Sequence, residues 1–147
     1  MSIESLFSLK DKVAVVLGGT SGIGKAIALA YVKAGATVIA SSRGQDKVDA
    51  MALELEALGS RTLRQTSDVH IRASLDALCQ ATVDTFGRAD ILVVTSGALF
   101  KAPSAEMSEE DFTRVVDANL NGSFRANQIF GRQMIAQGGG VSSTLVR

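Results

Sequence analysis

Cysteine, histidine and tyrosine each occur once in this chain of 147 residues, and charge of neither sign is in excess. The lone cysteine, Cys79, excludes an internal disulfide and a cysteine-based metal cluster, and it reads as a small apolar residue packed in a helix rather than a reactive thiol. His70 follows Asp68-Val69 in a loop and reads as exposed rather than catalytic; with no clustered His, Cys or paired carboxylates, no metal ligand set is expected. Fifteen basic residues balance fifteen acidic ones without a block of one sign, which argues against nucleic acid or an anionic membrane surface as a partner. No apolar run approaches the ~20 residues of a membrane span, and the first residues lack the basic start and apolar run of an export signal. The expected location is therefore cytoplasmic.

What is present is an ordinary apolar content, 46% hydrophobic with 20% charged, arranged in alternating blocks. This suits one domain spanning 1–147. Val13 to Leu17 is uninterrupted and apolar, and it runs directly into Gly18, Gly19, Ser21, Gly22 and Gly24: a buried strand ending in a tight turn. A helix is predicted from about Ile23 to Ala34 with Gly35 as its cap, then a short strand at Thr37 to Ala40. The pattern repeats as a helix from Gln45 to Leu58, a strand near Thr62 to Thr66, a helix from Ile71 to Phe86 and a strand at Ile91 to Thr95. A longer helix is expected from Ser108, capped with Asp111, to about Gln137, and the tail VSSTLVR can supply a fifth strand. Such alternation implies an α/β fold of the Rossmann type, a parallel sheet with helices on both faces. Arg64 and Gln65 interrupt the third strand, which places it at an edge; with right-handed crossovers the expected order is 3-2-1-4, possibly followed by 5.

The glycines carry the chemistry. A turn between a buried strand and a helix lets backbone approach a pyrophosphate, whose charge the free N–H groups at the helix start then meet. Gly18, Gly22 and Gly24 have the spacing G-x-x-x-G-x-G, and Thr20, Ser21 and Ile23 fill the turn between them. At the end of the second strand stand Ser42 and Arg43 with no acidic residue to hold a ribose 2′-hydroxyl. An arginine there suits the 2′-phosphate of NADP over NAD.

These residues together resemble the short-chain dehydrogenase/reductase family, whose T-G-x-x-x-G-x-G pattern is met by Leu17 through Gly24 with Leu17 in place of the threonine. The resemblance runs from about Leu9 to Gly140. It implies that Asp68-Val69 contacts the adenine, that Gly97 lets backbone pass the cofactor ribose, and that Asn119 of Asn119-Leu120-Asn121-Gly122 supports a proton relay. Val94-Thr95-Ser96-Gly97 replaces the family's N-N-A-G, so the sheet loses the asparagines that tie it together there. Phe112, Val115, Val116, Leu120, Ser123 and Phe124 are expected to form one face of the long helix, with Asn119 on it.

Family catalysis also uses a tyrosine, a lysine four residues later and a serine. The one tyrosine here is Tyr31, four positions before Gly35, and Ser142-Ser143 echoes the serine segment, which makes Ser143 the candidate serine. The resemblance thus implies the cofactor-binding half of an NADP-preferring oxidoreductase acting on an alcohol or carbonyl, truncated relative to the family and inactive alone. Its open side would favour a homo-oligomer through the helix at 108–137. The alternative is a non-catalytic dimerising module, or a gene remnant, without useful cofactor binding.

Overall fold

The computed structural model describes residues 2–145. The chain runs α1 (Ile3–Leu6), β1 (Val13–Leu17), α2 (Gly22–Lys33), β2 (Thr37–Ser41), α3 (Gln45–Ala57), α4 (Arg72–Phe86), β3 (Ile91–Val94), α5 (Glu109–Val116), a π-helical turn (Asp117–Asn121), α6 (Gly122–Ala136) and β4 (Val141–Thr144). The four strands form one parallel sheet in the order β2-β1-β3-β4. All five residues of β1 are buried, as a central parallel strand covered on both faces requires. Its side chains divide by parity. Val13, Val15 and Leu17 pack with Leu75, Leu78 and Phe130 of α4 and α6, whereas Ala14 and Val16 pack with Ala28, Met51 and Leu55 of α2 and α3. The period of two in a strand produces this split, and with it the helix layers on both faces. Among the described residues no helix is long and apolar enough to cross a membrane.

The fold departs from the sequence reading at the expected third strand and at the long helix. Residues 62–66 do run along the outer edge of β2, as the expected third strand should, but side chains make many of the bonds. Thr62 Oγ1 donates to the Val38 carbonyl at 2.7 Å, Val38 N–H donates to Ser60 Oγ at 3.4 Å, and Ser41 Oγ donates to the Gln65 carbonyl at 2.6 Å. Hydroxyl groups occupy the places of ladder amides, and the segment forms no strand. The expected order therefore stands without its first member. The predicted tail strand forms as β4, exposed on all four residues, while residues 146–147 lie outside the described chain.

The second departure concerns the long helix. Its start is as expected: Ser108 Oγ accepts from Asp111 N–H at 3.1 Å and donates to the Asp111 carboxylate at 2.8 Å. Its buried face is not the one the large side chains suggested. Phe112, Leu120 and Phe124 are exposed, and Ala118, Gly122 and Ala126 lie inward with Ile129, Phe130 and Met134. The helix approaches the loop at Val69 so closely that a Cβ on Gly122 would stand 2.8 Å from Val69 Cβ. Only small residues fit there, which leaves the larger apolar ones outside.

Candidate functional site

The turn after β1 is held from both sides. Gly18 N–H donates to the Ser41 carbonyl at the end of β2, 2.8 Å, and Gly18 takes φ +79°, a conformation that favours glycine. On the other side the Thr95 amide and hydroxyl both donate to the Leu17 carbonyl, at 2.9 and 2.7 Å. Thr95 thus fastens the turn to β3, at a position where the sequence alone suggested only a loss of sheet-tying side chains. Gly24 closes the arrangement. A Cβ there would run into the Gly18 carbonyl and stand 2.5 Å from Thr95 Oγ1, so α2 can cross the turn this tightly only without a side chain.

A cleft of about 760 Å³ opens over the carboxyl ends of the strands. Of the residues singled out in the sequence, Gly18, Thr20, Ser21, Ser42 and Arg43 line one side of it, and Asp68, Val69 and Gly97 line it as well. Gly22, Ile23 and Gly24 form the first turn of α2 beside it. Thr20 Oγ1 donates to Ser42 Oγ at 3.0 Å, joining the turn to the end of β2. Arg43 is exposed and makes no ion pair among the described residues. Lys47, one helical turn further on, also lines the cleft and lacks an acidic partner in the same set. It escaped the sequence reading because an exposed lysine in a helix carries no distinguishing signal. One carboxylate oxygen of Asp68 accepts the His70 amide at 2.9 Å, which fixes the loop as an Asx turn.

His70 is not simply exposed, as the sequence suggested. It is half-buried, lines the cleft and has Nδ1 2.7 Å from Asp117 Oδ2 at the head of the π-helical turn. Hydrogen bonds from Arg125 first, then from His70 and Asn121, hold the Asp117 carboxyl well below the usual carboxylate range.

Asn119 stands behind Gly97. Its Nδ2 donates to the Ala98 carbonyl at 2.7 Å and to the Val115 carbonyl at 3.0 Å, and its Oδ1 lies against Gly97, where a Cβ would collide with it. The asparagine is a brace between the long helix and the cleft loop. Ser143 sits elsewhere: it pairs with Val93 inside β4, is exposed, and is not among the residues lining the cleft. Tyr31, on α2, packs against the core on the α2 and α3 face of the sheet and is likewise absent from the lining.

The residues present suit a dinucleotide phosphate. Ser21, at the N-cap of α2, makes no side-chain hydrogen bond to the helix, and the first turn carries no acidic residue. Its N–H groups therefore remain available to an anion beside the cleft, where the helix dipole favours one.

Comparison with known proteins agrees with this geometry. The chain matches the short chain dehydrogenase family over residues 12–142. It is 37% identical over 140 residues to D-threitol dehydrogenase of Mycolicibacterium smegmatis, covering 95% of this chain and 54% of that protein. A solved short-chain type dehydrogenase/reductase from Mycobacterium marinum superposes with a TM-score of 0.94 at 34% identity, covering 98% of this chain and 59% of the other. A 7α-hydroxysteroid dehydrogenase solved with NADH and 7-oxo glycochenodeoxycholic acid gives a TM-score of 0.91 at 30% identity, covering 99% of this chain and 56% of that one. The chain spans about half the length of the curated relatives it matches.

Proposed function

The chain belongs to the short-chain dehydrogenase family, and from that premise we propose that its cleft binds a nicotinamide dinucleotide, NADP in preference to NAD, without turning over a substrate by itself. The observation that carries this reading is the uncapped amino end of α2 beside a cleft lined by Arg43 and Asp68. The N–H groups at Gly22 to Gly24 would hold the pyrophosphate, Asp68 would accept from the adenine amino group, and Gly97 would let the ribose pass close to backbone. Arg43, free of an acidic partner among the described residues, would pair with the 2′-phosphate. When bound, the nicotinamide supplies hydride transfer at an alcohol or carbonyl carbon. The general acid/base is what these residues lack: Tyr31 is packed on the core, and Gly35 stands where a lysine would have to be.

Calorimetric titration tests this directly. NADPH is expected to bind at micromolar concentration and NADH more weakly, with Arg43→Ala reducing NADPH affinity about tenfold and leaving NADH nearly unchanged. No heat with either nucleotide from a folded sample would remove the reading. A homodimer is the second proposal, supported by the outward Phe112, Leu120 and Phe124, which are 60%, 66% and 60% exposed. Phe124→Lys should raise the monomer fraction in sedimentation experiments, and a wild-type chain that stays monomeric at tens of micromolar concentrations would count against it.

A further inference from the structure

Three contacts pin the loop of Asp68, Val69 and His70 to the long helix from behind. Val69 lies against Gly122, where even one added carbon would not fit. The Val69 carbonyl accepts from Arg125 Nη1 at 3.0 Å. His70 Nδ1 meets Asp117 Oδ2 at 2.7 Å.

The second and third contacts converge on one carboxylate. Arg125 donates to Asp117 through Nη2 at 2.7 Å and through Nη1 at 3.2 Å, and Asn121 Nδ2 donates at 3.1 Å. Asp117 opens the π-helical turn, and neither it nor Arg125 lines the cleft. Widened helical turns of this kind occur often at functional sites.

We propose that Asp117 is a positioning residue for the adenine side of the cleft: through Arg125 and His70 it fixes Asp68 and Val69 before any nucleotide arrives. This rests on the nucleotide-binding reading above. The physical basis is preorganisation. A loop already held in its bound conformation loses little conformational entropy on binding, whereas a released one must be ordered at the expense of affinity. Both side chains of the Asp117–Arg125 pair are about three-quarters buried, which protects the contact from solvent screening better than a surface ion pair. The specificity of the claim lies in where the loss should fall. The nicotinamide half of the cofactor meets none of these residues in the proposed binding mode, so only ligands containing adenine should be affected.

The test uses the whole chain with three probes: NADPH, 2′,5′-ADP as the adenine half, and reduced nicotinamide mononucleotide as the other half. Asp117→Asn keeps the shape and removes the charge. It should weaken NADPH and 2′,5′-ADP about tenfold while leaving the mononucleotide within twofold of wild type. His70→Ala, at a half-buried site, should weaken the same two ligands about threefold and covers the case in which the Asp117 variant fails to fold. In nucleotide-free samples of either variant, the amides of Asp68 and His70 should exchange hydrogen faster than in wild type. Equal weakening of both halves, or unchanged 2′,5′-ADP binding together with unchanged exchange, overturns the proposal and leaves the nucleotide reading standing. Failure of wild type to bind either NADPH or 2′,5′-ADP overturns both.

Discussion

Thr95→Val isolates the tie between the glycine turn after β1 and β3. The Leu17 carbonyl accepts two bonds from this residue, from the amide at 2.9 Å and the hydroxyl at 2.7 Å. Valine removes only the second, so the buried carbonyl keeps a partner and the full penalty of an orphaned acceptor does not apply. What is lost is the net worth of one neutral buried hydrogen bond, about 1 kcal/mol. A steric cost adds to it. Cβ positions built on Gly18 and Gly24 would stand 2.7 and 2.5 Å from the Thr95 hydroxyl, so backbone already crowds the spot where a bulkier methyl would replace it. Together the expected loss is roughly 1–2 kcal/mol. Urea unfolding at fixed protein concentration should show the midpoint falling by about 0.5–1 M with an unchanged slope. Thr95 is 6% exposed, so solvent cannot replace the bond without opening the site. A valine variant as stable as wild type would refute the assignment of Thr95 as the fastening of the turn.

Gly24→Ala should destabilise the chain by roughly 2 kcal/mol or more, because the new carbon meets backbone of Gly18 rather than a flexible side-chain end; thermal unfolding reads this directly. Acid sensitivity should depend on Asp90. Burial by itself would raise its pKa, but hydrogen bonds from Arg88 and the Val13 amide, with the charges of Arg88 and Lys12, outweigh that and lower it. Its folded pKa lies below the unfolded value near ~3.9, so its stabilisation is complete above that pH and is lost as pH falls through the folded value. Unfolding midpoints measured from pH 6 downward should therefore fall less steeply for Asp90→Asn than for wild type. Cys79 should be slow to react: burial, and secondarily the Asp76 charge, push its thiol up to about 11. At pH 8 a thiol reagent should label the folded chain about 100-fold more slowly than the chain in urea, and equal rates would contradict the burial.

Most of the strand and helix order was legible because it rests on long-wavelength features: uninterrupted apolar runs at Val13 and Ile91, and glycines after α2, α3, α4 and α6. The tight turn after β1 was legible too, since its glycines sit between a buried strand and a helix. Illegible features were those set by contact distance. The inward face of the long helix is built from Ala118, Gly122 and Ala126, whose modest hydrophobicity is outvoted by Phe112 and Phe124 in any periodicity count. Residues 62–66 combine strand-like placement with hydroxyls at Ser41, Ser60 and Thr62 that satisfy backbone groups locally, an outcome no propensity reveals. The same holds for His70, whose partner Asp117 lies 47 positions away in sequence.

β1 is bonded to strands on both sides, and the turn that follows it is fastened to the ends of those same two strands, through Ser41 and Thr95. The turn therefore cannot open as an independent unit. Local fluctuations that expose loops elsewhere would have to part the centre of the sheet to expose the Gly18 amide, which places that amide among the slowest to exchange, at the rate of global unfolding. The coupling also runs in reverse. Any anion that settles on the turn holds the whole sheet together, so the melting temperature of the chain is itself a gauge of occupancy, rising with the logarithm of free ligand once the site is saturated.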